Sequence, residues 1–177
     1  MTTANKLTLV RVALIPVFLV ILYLNIPYAH YAAFAVFVLA CLTDFVDGYI
    51  ARHYNQVTDF GKFMDPLADK VLVMAAMCFL VEIGQMPGWC LAVVLLREFA
   101  VSGMRLVAVE QGRVIAAAWS GKVKTASTMV CLCAMLLNVF GGYAWFDPLC
   151  CAVIVLTTTY SGIEYFIKNI DVFRDSK

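Results

Sequence analysis

Charged residues are scarce in this sequence. Asp, Glu, Lys and Arg make up 14% of its 177 residues, while hydrophobic residues make up 63%. Soluble domains carry about 25% charged and roughly 45–50% apolar residues, so an ordinary soluble domain is excluded. The composition predicts an all-α integral membrane protein with a single domain over residues 1–177. At about 20 residues per span, the chain has room for about six membrane helices joined by short loops.

The residue patterns of zinc sites and disulfide frameworks are also missing. The two histidines, His30 and His53, lie far apart in the predicted topology, and no CxxC or Cys/His metal spacing occurs. All seven cysteines fall in apolar runs, which is typical of small packing residues. The net charge is only +1, and no nucleic-acid partner is expected.

Basic residues are absent from three turns, at residues 25–31, 84–88 and 141–148. Lys and Arg concentrate instead at the termini and in the alternate loops, and such residues favour the cytoplasmic side of a membrane. We therefore predict a bundle with both termini in the cytoplasm. The predicted spans are residues 9–25, 28–50, 61–83, 89–109, 123–140 and 149–167.

Acidic residues cluster between two of the long apolar runs. The first pair is spaced i,i+3 and the second i,i+4, so on helices each pair shares one face. Ionisable residues at membrane depth are expensive and indicate function, and like charges repel unless cations hold them. Carboxylates alone suit a hard ion such as Mg²⁺ or Mn²⁺. The four residues are Asp44, Asp47, Asp65 and Asp69.

The spacing also predicts that the two acidic pairs lie at one depth. Asp44 lies eight residues before Arg52, and Asp69 lies eight residues after Gly61. In an antiparallel helix pair, both positions are about 12 Å in from the connecting loop. Two cations about 4 Å apart could then clamp both oxygens of a phosphoryl displacement. Gly48 would let a ligand approach the helix, and the guanidinium of Arg52 suits a diphosphate.

Basic residues on later spans predict a charged second ligand. Arg105, Lys122 and Lys124 lie at a similar predicted depth and suit a phosphate. Simpler interpretations stay open, in which the lysines are positive-inside anchors and Arg105 snorkels to the surface. Arg97 and Glu98 lie deeper and need partners, and Glu164 is one candidate partner for Arg97.

The acidic stretch resembles the signature of the CDP-alcohol phosphatidyltransferases at every fixed position, eight in 26 residues. Those positions are Asp44, Asp47, Gly48, Ala51, Arg52, Gly61, Asp65 and Asp69. Other stretches are similar to one branch of that family, the bacterial phosphatidylglycerophosphate synthases. They are NKLTLVRVALIP (5–16), DPLADKVLV (65–73), REFAVSGMR (97–105) and GKVKT (121–125).

The resemblance implies a reaction in which CDP-diacylglycerol and sn-glycerol 3-phosphate give phosphatidylglycerophosphate and CMP. It implies two divalent ions, Mg²⁺ or Mn²⁺, on the four aspartates, with Asp69 also acting as the base. It implies a CDP-diacylglycerol site at Thr43, Gly48, Arg52 and Gly61, and an acceptor phosphate site at Arg105, Lys122 and Lys124. It further implies a homodimer in the bacterial inner membrane, with the active site facing the cytoplasm.

Other functions fit the same residues less well. Alternative acceptors for the same type of reaction are inositol phosphate, phosphatidylglycerol (in cardiolipin synthesis) and serine. A divalent-cation or proton transporter could use the acids as its ion site, although transporter sites usually lie near the bilayer midplane. A structural membrane protein would not explain Gly48, Arg52 and Gly61 at fixed offsets.

Overall fold

The computed structural model describes residues 3–24, 28–53, 59–113, 115–116, 118–138 and 143–173. Within these ranges, the side chains of 3–7, 30, 44–53, 59–63, 65–66, 138 and 173 lie outside the description. Predictions about the side chains of Asp44, Asp47 and Asp65 therefore stay predictions. The same holds for Arg52.

The described residues form helices and no strands, which confirms the all-α prediction. A short 3₁₀ helix, Ile170–Phe173, follows the last α-helix. The α-helices are α1 (Thr3–Tyr23), α2 (Ala29–His53), α3 (Asp59–Glu82), α4 (Gly88–Glu110), α5 (Trp119–Asn138) and α6 (Phe146–Lys168).

The helix boundaries follow the predicted spans closely except at two helix starts. Helix α1 begins at Thr3 rather than at the predicted residue 9, and α5 also begins earlier than predicted. Hydropathy predicted that this helix begins at residue 123, but it begins at Trp119. Its first turns therefore include Lys122 and Lys124. The predicted span included Lys124 but left out Lys122. A charged residue raises the polarity of a segment without preventing helix formation, so hydropathy placed the start too late.

Helix α6 is the one described helix that is long and apolar enough to cross a membrane by length and composition. Shorter apolar helical stretches occur at Thr8–Tyr23 and Tyr31–Thr43. Helix α4 is of similar length but carries Arg97, Glu98 and Arg105 along it. The six-span topology, the cytoplasmic termini and the single domain stay predictions.

The chain divides into two compact units, and the first comprises residues 1–80 with 136–142. Helices α1 and α2 pack against each other in this unit. Phe18 and Phe37 are fully buried with ring centroids 5.7 Å apart, and Ala33 and Ala40 are fully buried on the same helix as Phe37. Small residues at such positions let two helix backbones approach closely.

The second unit comprises residues 81–135 with 143–177, and α4 packs against α6 within it. Its best-defined apolar cluster joins Val101 and Met104 of α4 to Tyr165 of α6. Helix α4 ends where Gly112 adopts φ +72° and its N–H donates to Val109, while the N–H of Arg113 donates to Ala108. This is a Schellman motif, which favours glycine at the left-handed position.

The end of α4 also holds the C-terminal 3₁₀ helix. Gln111 Nε2 donates to the carbonyl of Val172 at 3.0 Å, and Arg113 pairs with Asp171 at 2.8 Å. The hydrogen bond from Arg113 holds the pKa of Asp171 below its usual value. Val172 is buried, so the segment after α6 packs onto the unit.

Candidate functional site

The acidic residues of the signature lie on two unbroken helices. Asp44 and Asp47 are on α2, and Asp65 and Asp69 are on α3. Helical backbone at these positions gives each pair the one-face spacing that the sequence predicted. Asp69 is partly buried and has an interaction partner.

The aspartate set fits a divalent cation by its chemistry. Carboxylate oxygens on one face of a helix are the ligands that Mg²⁺ and Mn²⁺ prefer. Among the residues whose side chains are described, no group of three or more His, Cys, Asp and Glu could hold a metal. Three of the four aspartate side chains lie outside that set, so the predicted metal cluster stays a prediction.

Thr43 lies one residue before the signature on α2. Its hydroxyl donates to the carbonyl of Ala40 at 2.7 Å. A hydroxyl has one donor and two acceptor positions, so the Thr43 oxygen can accept a hydrogen bond from a ligand but does not donate one in this arrangement. The other predicted CDP-diacylglycerol contacts, at Gly48, Arg52 and Gly61, lie outside the described side chains.

Arg105 is exposed on α4, and α6 orients its guanidinium. Arg105 Nε donates to the hydroxyl of Tyr165 at 3.1 Å, and its Cζ lies 5.5 Å from the centre of the Tyr165 ring. Tyr165 is almost fully buried. Tyr165 packs against α4 and also holds the arginine.

The two lysines of α5 face different surroundings. Lys124 is buried, and its Nζ lies 2.5 Å from Glu98 Oε1. Lys122 is exposed, and its Nζ lies 6.0 Å from the centre of the Trp119 ring. Residues two apart on a helix project about 200° apart, so the two side chains leave α5 in different directions.

Arg97 and Glu98 find partners that the sequence did not predict. Arg97 pairs with Glu98 at 2.8 Å, although adjacent residues on a helix diverge, because both side chains are long enough to fold back. The suggested pairing of Arg97 with Glu164 is wrong. Glu164 pairs with Lys168 one turn further along α6. The second donor group of Arg97, Nη2, binds Ser161 Oγ at 2.8 Å.

Sequence reasoning missed Ser161 and two glycines beside Arg97. A Cβ atom on Gly162 would lie 3.2 Å from Arg97 Cγ, and one on Gly121 would lie 3.5 Å from Arg97 Nη2. The only sequence signal was the presence of small residues in apolar helices, which is common in membrane proteins. Their role becomes visible only when α4, α5 and α6 are placed together.

Comparisons with known proteins give matches over most of the chain. The model of the CDP-alcohol phosphatidyltransferase family matches residues 1–160. The chain belongs to this family, which confirms the predicted resemblance and makes it a transferase. The family generally depends on divalent metal ions.

Individual relatives match over most of their length. A Bacillus subtilis (strain 168) protein named CDP-diacylglycerol–glycerol-3-phosphate 3-phosphatidyltransferase is 44% identical over 97% of this chain and 97% of its own. An Escherichia coli (strain K12) protein of the same name is 38% identical over 90% of each chain. A Mycobacterium tuberculosis protein, named probable phosphatidylglycerophosphate synthase, is 38% identical over 94% of this chain and 81% of its own.

Proposed function

We propose that this protein transfers the phosphatidyl group of CDP-diacylglycerol to sn-glycerol 3-phosphate, giving phosphatidylglycerophosphate and CMP. The observation that carries the proposal is the match to the Bacillus subtilis relative along 97% of both chains, because that relative's name states this reaction. The complete eight-position signature supports it, since every predicted metal ligand is present.

The four aspartates of α2 and α3 hold two divalent ions, Mg²⁺ or Mn²⁺, in this proposal. Their helical register and their oxygen-only donor set support that role. When bound, the ions would neutralise the negative charge that develops on the diphosphate. Asp44, Asp47 and Asp65 are ligands alone, and Asp69 has a second role.

Asp69 takes the proton from the acceptor hydroxyl. That oxygen forms a bond to the β-phosphorus of CDP-diacylglycerol, and the bond from this phosphorus to the bridging oxygen breaks. CMP leaves with the bridging oxygen and its electron pair. The partly exposed carboxyl group of Asp69 supports the role, because a general base must be within hydrogen-bond reach of its substrate.

The acceptor phosphate binds to basic side chains of α4 and α5. Arg105 lies seven residues after Glu98, which is about two turns along the same face of α4, roughly 10 Å away. Because Lys124 contacts Glu98, both basic side chains adjoin α4. Lys122 lies on the exposed side of α5, which favours its alternative interpretation as a surface anchor, although it stays a candidate for the acceptor phosphate.

The proposed enzyme spans the inner membrane six times, with both termini and the active site on the cytoplasmic side. The distribution of Lys and Arg supports this orientation. CDP-diacylglycerol enters from the lipid bilayer, and sn-glycerol 3-phosphate enters from the cytoplasm. The resemblance also supports a homodimer.

An acceptor panel tests the reaction. Purified protein is given CDP-diacylglycerol and Mg²⁺ or Mn²⁺, then glycerol 3-phosphate, inositol phosphate, phosphatidylglycerol or serine in separate reactions, and CMP release is followed. We expect release with glycerol 3-phosphate at a rate well above the other three. Faster release with another acceptor would identify a sibling reaction, and no release with any acceptor would overturn the proposal.

A further inference from the structure

Two helices of the second unit meet at one carboxylate, and a third helix is linked to it through Arg97. Glu98 Oε1, on α4, lies 2.5 Å from Lys124 Nζ on α5 and 2.8 Å from Nη1 of its neighbour Arg97. Arg97 Nη2 continues the chain of contacts to Ser161 Oγ on α6, at 2.8 Å. Glu98 is therefore the shared acceptor of two cationic side chains.

This ionic cluster is largely removed from solvent. The side chains of Arg97, Glu98 and Lys124 are 14%, 12% and 7% exposed. Burying charges costs several kcal/mol per ion before their mutual attraction is counted, so a buried ion pair is weak as a source of stability. These three side chains also carry two positive charges and one negative charge. The surplus positive charge of these three side chains favours the binding of an anion.

The backbone around Arg97 leaves little room for its side chain to move. A Cβ on Gly162 would be 3.2 Å from Arg97 Cγ, closer than ordinary packing allows, and one on Gly121 would be 3.5 Å from Nη2. With Ser161 holding one end of the guanidinium, Arg97 offers Nη1 to Glu98 from a fixed direction. Arg97, held by Ser161 of α6, thus orients the Glu98 carboxylate, and the same carboxylate oxygen contacts Lys124.

We propose that Glu98 is a positioning residue for the acceptor phosphate, acting through Lys124. The inference rests on the proposed function, in which Lys124 binds that phosphate. An ammonium group has three N–H donors, so a bond to Glu98 leaves donors for phosphate oxygens. Glu98 supplies the counter-charge that keeps the Lys124 ammonium buried and fixed in direction. Without it, the buried ammonium is uncompensated and turns toward solvent.

Glu98→Gln tests the proposal because glutamine keeps the size and the acceptor oxygen while removing the charge. We expect the KM for glycerol 3-phosphate to rise about tenfold, while kcat and the KM for CDP-diacylglycerol stay within about twofold. Glu164→Gln is the matched control. It makes the same chemical change in the same unit, but Glu164 pairs with the exposed Lys168, so we expect no change in either KM. An unchanged acceptor KM in Glu98→Gln overturns the inference.

A double-mutant cycle separates positioning from general support of the fold. If Glu98 acts through Lys124, then Glu98→Gln raises the acceptor KM by less than about twofold in a Lys124→Met background. An equal multiplication of KM in both backgrounds shows that Glu98 does not act through the lysine, and overturns the inference.

The same variants distinguish this inference from the proposed function. An acceptor KM that Lys124→Met leaves unchanged means that the proposed role of Lys124 is wrong. A rise with Lys124→Met but not with Glu98→Gln means that only the inference is wrong. Should Glu98→Gln fail to accumulate, Ser161→Ala removes the α6 hydrogen-bond partner of Arg97 without changing any charge. We expect it to raise the acceptor KM about two- to threefold at constant kcat, and no rise overturns the inference.

Discussion

The acidic helices, α2 and α3, differ from the basic helices, α4 and α5 with their partner α6, in how their charged residues are arranged along the sequence. On α2 and α3, the four aspartates lie within 26 residues, and spacing along each helix puts them in pairs on one face. On α4, α5 and α6, the contacting charged and polar groups are 26 residues apart for Lys124 and Glu98, and 64 apart for Arg97 and Ser161. Local spacing is readable from a sequence, whereas partners brought together by packing are not.

The comparison also separates two kinds of catalytic contribution. In the proposed function, the acidic residues act where bonds form and break, so we expect their loss to lower kcat. The basic residues are proposed to hold a group of the acceptor that does not react, so we expect their loss to raise the KM for that acceptor. An acidic variant that raises only the acceptor KM, or a basic variant that lowers only kcat, would contradict this division.

The largest effect is expected from the acidic helices. Asp69→Asn removes both a metal ligand and the base, and we expect kcat to fall by at least about 10³-fold, since general base catalysis alone contributes roughly 10²- to 10⁴-fold. CMP release measures the rate, and membrane insertion checks that the variant accumulates. Turnover near the native rate would remove Asp69 from the reaction.

Removing divalent ions tests the same helices without a mutation. EDTA is expected to stop CMP release, and excess Mg²⁺ or Mn²⁺ is expected to restore it. Because an ion that binds the folded state also stabilises it, the melting temperature should rise with metal concentration. In the Asp44→Asn variant that rise should be smaller. Full activity in EDTA would contradict the metal site.

A matched pair of lysine variants tests the basic helices. Lys124→Met is expected to raise the KM for glycerol 3-phosphate about 10- to 100-fold, because hydrogen bonds to charged groups contribute about 1.5–3 kcal/mol. Lys122→Met, on the exposed side of α5, is expected to raise it by less than about threefold. Steady-state kinetics with each substrate varied in turn measures both. The reverse order would assign the acceptor phosphate to the Trp119 side of α5.

Glycine variants test the packing around Arg97. Gly162→Ala places a methyl group 3.2 Å from Arg97 Cγ, and we expect the free energy of unfolding to fall by about 1–3 kcal/mol. Gly103→Ala on α4 is the control, since a Cβ there has no neighbour within 4 Å. Unfolding of the detergent-solubilised proteins gives both values. Equal stability of the two variants would mean that Arg97 moves aside easily.

The smallest effect is expected at the exposed C-terminal ion pair of Arg113 and Asp171. The pKa of Asp171 is lowered by Arg113, so the pair contributes stability above the pKa of the unfolded state. That contribution is lost as the pH falls through the lower folded-state pKa. Hydrogen exchange of residues 170–173 should therefore increase at acidic pH in the native protein. Asp171→Asn should remove this pH dependence and leave kcat unchanged.

Most of the helical fold could be predicted from the sequence. The predicted starts and ends lie within a few residues of those of α2, α3, α4 and α6, because long apolar runs broken by Gly and Pro mark helices clearly. The start of α5 was placed too late. Its first turn carries charged residues, and nothing in the local pattern shows that Glu98 compensates the charge of Lys124.

The candidate site was predictable to different degrees. The family and the aspartate positions followed from the signature. The family match confirmed the family, while the roles of the aspartates stay predictions. The pairing of Arg97 with Glu164 was predicted wrongly, because sequence spacing does not tell which residue of another helix lies opposite. For the roles of Ser161 and Gly162, the sequence offered only the presence of small residues in an apolar helix, which does not show what they contact.

By itself, the sequence determined the helical class and the family, and it predicts the aspartates that we propose as metal ligands. These depend on composition and on spacing within one helix, where 3.6 residues per turn fix which side chains share a face. Only the tertiary structure decided that Lys124 is buried against Glu98 while Lys122 is exposed, and that Tyr165 holds Arg105. Those contacts depend on how α4, α5 and α6 pack, and side chains far apart in the chain meet only through that packing.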